Sequence, residues 1–123
     1  MVEIEKKIIK SYTFYYIKGT NLLHREDGPA VESRKGDKEW YLNGELHRES
    51  GPAAIWGDGT MEWYRHGERH RVCGPAVTFS NGEIQWWLEG HFYPRKESWF
   101  EALAEEQKVK ILYSEFFINQ ESL

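Results

Sequence analysis

A chain of 123 residues that is 40% hydrophobic and 15% aromatic is long enough for one folded domain and far from a disordered composition. Its formal charge of −4 argues against a general electrostatic hold on nucleic acid, which needs clustered Lys and Arg. The single cysteine, Cys73, leaves no internal disulfide, so packing must hold the fold, and a reducing, cytoplasmic setting is expected.

The opening MVEIEKKIIKSY mixes charge among its apolar residues, so neither a signal peptide nor a membrane anchor is expected. Residues 1–27 read as N-terminal strands and a degenerate starting unit. Met1 to Ser11 alternates loosely and suits an edge strand, and Phe14 to Gly19 followed by His24-Arg25 resembles the second half of a unit with two extra turn residues. Three units then follow without a gap over residues 28–50, 51–73 and 74–96. Each opens on Gly-Pro-Ala, carries a Gly at 36, 59 or 82, a Trp at 40, 63 or 86 and a Gly at 44, 67 or 90, at a period of 23 residues.

Lys35-Gly36, Asp58-Gly59 and Asn81-Gly82 separate short runs rich in Val, Ile, Thr, Trp and Tyr, and predict a tight two-residue hairpin turn in each unit. Asn43-Gly44, His66-Gly67 and Glu89-Gly90 mark a second reversal that feeds the His-Arg segment. Side chains alternate across a strand, so Trp40, Trp63 and Trp86 share one face, and Tyr41, Tyr64 and Trp87 the other. Residues 97–119 change period: Ser98 with Glu101 forms a capping box, and the following good helix formers lack Gly and Pro. The stripe Trp99, Leu103, Val109, Leu112 and Phe116 slips in phase near Ala104 to Gln107, which favours two short helices broken near Glu105 over one. The expected architecture is mainly β: a single-layer antiparallel meander of 23-residue hairpin repeats in one domain, capped by one or two C-terminal α-helices.

With this register, Trp40-Tyr41-Leu42-Asn43-Gly44-Glu45-Leu46-His47 and Trp63-Tyr64-Arg65-His66-Gly67-Glu68-Arg69-His70 resemble the MORN repeat. The likeness spans about Phe14 to Arg95 and is closest to a His-Arg-x-x-Gly-Pro-Ala variant similar to proteins of tailed bacteriophages and large DNA viruses. Arg25, Arg48 and Arg71 stand where the usual pattern has Gly, and unit three ends in Tyr93-Pro94-Arg95 where His-Arg would fall. The resemblance implies a protein-binding array with no catalytic residue.

The His-Arg pairs read either as a ladder gripping carboxylates or phosphates, or as a repeated joint in which His bonds backbone and Arg pairs with Glu26, Asp27 or Glu49. The joint is favoured, with Arg71 the preferred functional Arg because Val72 and Cys73 replace its acidic neighbours. Equivalent His residues roughly 10 Å apart cannot share a zinc ion, so no metal or cofactor is expected. Cys73 reads as a small buried hydrophobe, and Glu39 and Glu62 as outward-facing strand residues; no catalytic motif occurs, which points away from an enzyme.

Tyr, Trp and Arg dominate interface hot spots. The candidate binding residues are therefore Tyr41, Tyr64 and Trp87, on a groove lined by Arg65 and Glu89, together with His66 and Arg71. The expected function is non-enzymatic binding of a protein, with a phage-encoded modulator or inhibitor of a host or defence protein implied by the resemblance. The alternative is sequestration of a phosphorylated small molecule or signalling nucleotide by Arg71 and an aromatic plate. Self-association is left open.

Overall fold

A computed structural model describes residues 2–121, with side chains over residues 2–115. β1 (Ile4–Ile9) and β2 (Tyr12–Ile17) form the opening hairpin. The first unit contributes β3 (Val31–Ser33), β4 (Lys38–Glu39), β5 (Tyr41–Leu42) and β6 (Glu45–Leu46). The second contributes β7 (Ala54–Ile55), β8 (Met61–Glu62), β9 (Tyr64–Arg65) and β10 (Glu68–Arg69). In the third, β11 (Val77–Thr78) is followed by a continuous β12 (Ile84–Leu88) and by β13 (His91–Tyr93). The main sheet is a nine-stranded antiparallel meander ordered β1-β2-β3-β4-β7-β8-β11-β12-β13, with β5-β6 and β9-β10 as separate hairpins. Two helices, α1 (Lys96–Ala102) and α2 (Glu105–Glu121), complete a mainly β fold.

Each unit is thus two hairpins end to end, and their turns differ from expectation. At the first reversal only the glycine has positive φ, and Gly36 N–H closes a four-residue turn on the Ser33 carbonyl, as Gly59 does on Trp56 and Gly82 on Phe79. The tight turn with two positive φ angles lies at the second reversal: Asn43 (50°) with Gly44 (81°), His66 (47°) with Gly67 (82°), and Glu89 (47°) with Gly90 (79°).

His24, His47 and His70 make that strained turn repeatable. Nδ1 of each accepts the backbone N–H of Asn43, His66 or Glu89, at 2.9 Å in every case. The next N–H in each turn, from Gly44, Gly67 or Gly90, donates to the carbonyl of Leu23, Leu46 or Arg69. One unit therefore pins the turn of the next. Burial, reinforced by the Arg65 charge, lowers the His70 pKa and keeps that acceptor neutral.

Arg25, Arg48 and Arg71 complete the joints. Their guanidinium groups lie 4.0, 3.8 and 3.8 Å from the ring centroids of Tyr15, Trp40 and Trp63, and donate to the carbonyls of Pro29, Pro52 and Pro75. The glycine of each Gly-Pro-Ala makes room for this stack, since a Cβ on Gly51 would meet the Arg48 guanidinium at 3.1 Å. Beneath the stack, Ala30, Ala53 and Ala76 are completely buried.

The fourth joint is different. Trp86 meets the Trp99 ring at 4.6 Å, and Trp99 Nε1 donates to the Arg71 carbonyl at 3.1 Å. Trp99 is 1% exposed, so α1 supplies the plate that Arg supplies elsewhere and closes the array. Helix α1 therefore covers Trp86 on this face through Trp99, whereas Trp40 and Trp63 are covered by arginines. Helix α1 begins two residues before the expected cap: Arg95 is the N-cap residue, following Pro94, and Ser98 Oγ donates back to the Arg95 carbonyl from inside the helix. There are two helices as expected, but the break falls at Leu103-Ala104, just ahead of the expected Glu105, which opens α2. Helix α2 is long, and its Val109 and Leu112 are 61% and 54% exposed, not packed on the sheet. The expected Phe116 contact lies outside the described side chains. Among the described residues no helix is long and apolar enough to cross a membrane.

Candidate functional site

Opposite the joints runs a row set by strand register: Phe14, Val31, Glu39, Ala54, Glu62, Val77 and Gln85 are successive cross-strand partners. Alternation puts Tyr41, Tyr64 and Trp87 on this same face, one layer above the row. Their hairpin partners Leu46, Arg69 and Phe92 lie beside them. Below the row, Tyr12, Trp56 and Phe79 continue the face by the same alternation.

At its centre sits a carboxylate that the outward-facing reading misplaced. Glu62 is only 7% exposed because its neighbours in the row are the small, buried Ala54 and Val77. Its oxygens accept hydrogen bonds from Trp56 Nε1 (2.6 Å), Tyr64 Oη (3.1 Å) and Arg69 (2.8 and 3.2 Å). The Arg69 guanidinium lies 5.1 Å from the Trp87 ring centroid and 5.9 Å from that of Tyr64. Burial alone would raise the Glu62 pKa, but hydrogen bonds from Trp56, Arg69 and Tyr64 outweigh it and hold the carboxyl below its ordinary value. Burial, together with the Glu62 charge, raises the Tyr64 pKa.

Glu39, at the equivalent place in the first unit, behaves oppositely. Tyr41 Oη donates to it at 3.0 Å, but Leu46 and Ser33 stand where Arg69 and Trp56 serve Glu62. Burial, aided by the charges of Asp37 and Glu62, raises the Glu39 pKa against that hydrogen bond, and burial beside Glu39 pushes Tyr41 to about 12. A raised folded-state pKa contributes stability below the ordinary carboxylate range that is lost as pH rises through the folded value. Glu39→Gln is therefore expected to raise the melting temperature at pH 7, with the gain disappearing near about pH 4; thermal scans across that range check it.

The six residues expected to form one site do not converge. Tyr41, Tyr64 and Trp87 share a face and are half-buried. Arg65 and Glu89 instead line a cleft of about 440 Å³ with His70, Val72, His91 and Gln107 on the joint side, because each follows Tyr64 or precedes Gly90 in the second hairpin. His66 sits in its turn with its ring 4.3 Å from that of His47. Arg71 is held in the joint by Trp63 and Pro75, while its Nε is buried and finds no hydrogen-bond partner among the described residues. Cys73 is exposed, not buried, at the joint position that Ser50 occupies one unit earlier. Trp56 and Arg69 lie outside the candidates that the sequence suggests; their signal is their departure from Ser33 and Leu46, one period upstream. Among the described residues no three His, Cys, Asp or Glu side chains converge on a point that could hold a metal ion.

Compared with known protein families, curated proteins and solved structures, the chain finds no match in any of the three.

Proposed function

We propose that this is a non-catalytic, MORN-like repeat protein that binds another protein through the tyrosine face. The observation that carries the reading is the Glu62 constellation. The buried Glu62 carboxylate, by accepting two hydrogen bonds from the partly exposed Arg69 guanidinium, fixes it between Tyr64 and Trp87 in the middle of an aromatic sheet face. Around it, Tyr12 (39%), Phe79 (37%) and Phe92 (44%) are exposed on the same face. Rigid aromatic and Arg anchors around a desolvated centre are what a protein partner uses at an interface. The partner suggested by the likeness to viral repeats is a host protein, a defence component included, and the setting is the host cytoplasm. Sequestration of a phosphorylated ligand has less support, because Arg25, Arg48 and Arg71 already lie on rings and donate to proline carbonyls.

Affinity capture from host lysate tests the proposal when variants of the two faces are compared. Phe92→Ala together with Trp87→Ala is expected to weaken capture about tenfold or more. Ile84→Ala, exposed on the joint side, is expected to leave capture unchanged. Equal loss in both, or turnover of a small molecule by the pure protein, would refute the reading.

A further inference from the structure

We propose that β1 pairs with β1 of a second copy, antiparallel and centred on Lys6, to form a two-fold dimer with one continuous sheet. β1 is the first strand of the sheet, all of its residues are exposed, and among the described strands it pairs only with β2. The Glu3 carbonyl accepts from the Lys18 N–H at 2.9 Å. In an antiparallel ladder the N–H and C=O of a residue point to the same side, and successive residues alternate. Glu5, Lys7 and Ile9 therefore face β2, whereas Ile4, Lys6 and Ile8 direct both backbone groups outward.

That phase restricts self-pairing. Outward residues must oppose outward residues, and among the registers that satisfy this only those centred on Glu5, Lys6 or Lys7 form about four or more ladder hydrogen bonds within this strand. Centring on Glu5 sets that carboxylate against itself, and centring on Lys7 does the same with an ammonium on the tyrosine face, both unfavourable cross-strand pairs. Centring on Lys6 places Glu5 opposite Lys7 of the second copy, twice, and Ile4 opposite Ile8, twice. The one like-charge meeting is Lys6 with its counterpart, and the Lys6 ammonium already leans 5.9 Å from the Tyr15 ring of its own chain. Edge lysines commonly block pairing; here Glu5 makes one register complementary. About six backbone hydrogen bonds would form across the axis. The exposed Ile4 (41%) and Ile8 (65%) would gain apolar partners on the joint side.

The axis runs perpendicular to the sheet, so the tyrosine faces of both copies lie on the same side. A partner with two copies of its epitope would then be held bivalently; the dimer itself does not depend on that binding reading.

Light scattering coupled to gel filtration, run on the intact chain at about 10–100 µM, the range of weak specific association, tests the proposal. The expected mass is twice the 14.6 kDa of one chain. Lys6→Pro removes an outward N–H without touching the β1–β2 ladder, and is expected to give a monomer with unchanged circular dichroism. Glu5→Lys is expected to weaken the dimer about tenfold or more, and adding Lys7→Glu to restore it by reversing both pairs. A wild-type monomer throughout that range would overturn the proposal. So would a dimer indifferent to Lys6→Pro, or a double charge reversal that remains monomeric.

Discussion

Trp99→Ala is expected to cost about 3–5 kcal/mol of stability, the range for deleting a fully buried Trp. Against a total of roughly 5–15 kcal/mol for a domain, that loss would lower the melting temperature by about 10 °C or more. Two contributions act together. The indole covers Trp86 at 4.6 Å, so its removal leaves a large apolar surface and an unfilled cavity at the end of the array. Its N–H also satisfies the Arg71 carbonyl at the last joint, where no further unit follows. Trp99→Phe separates the two contributions: the ring plate is kept in part, the hydrogen bond is lost, and the expected cost is nearer about 1–2 kcal/mol. Urea unfolding of the three proteins measures both, and a Trp99→Ala loss below about 1 kcal/mol would show that α1 does not close the array.

The contrast between Trp99 and the three joints also shows what periodicity makes legible. Gly-Pro-Ala, His-Arg and the second-reversal glycine recur every 23 residues, and each performs the same local task at each recurrence, so the repeat alone locates the strands, the reversals and the two faces. Trp99 replaces a repeat element from outside the repeat. The aligned position is Pro94, and the indole reaches a carbonyl 28 residues earlier through a helix whose docking no spacing rule describes. The turn error had a different cause. Asp-Gly and Asn-Gly suit a tight hairpin, but His24, His47 and His70 offer an Nδ1 acceptor to the following reversal, and that nonlocal bond accompanies the two positive φ angles in each unit. The binding residues were half legible. Alternation grouped Tyr41, Tyr64 and Trp87, but it could not bring in Arg65, which the same alternation sends to the other side.

Arg69→Leu is expected to destabilise the protein by roughly 2–3 kcal/mol at pH 7. Breaking a buried pair by removing one partner costs about 3–5 kcal/mol, and the lower figure reflects an Arg69 side chain that is 36% exposed. The substitution reproduces the first unit, where Leu46 stands at this position beside Glu39, and it leaves the Glu62 carboxylate with Trp56 and Tyr64 as donors. Glu62→Gln in the same chain removes the stranded charge, as Gln85 does in the third unit, and is expected to recover most of the loss. The pH dependence has a definite sign. The folded-state pKa of Glu62 is depressed, so its stabilisation is present above the ordinary carboxylate range and is lost as pH falls through the folded value. The gap between wild type and Arg69→Leu should therefore close on acidification below about pH 4, whereas a gap constant down to acid would assign Arg69 a packing role alone. Because Arg69 also lies against Trp87 and Tyr64, the double variant further separates binding from stability. Arg69→Leu with Glu62→Gln should fold nearly as well as wild type and still lose partner capture, since the tyrosine face would keep its rings but not the cation set between them.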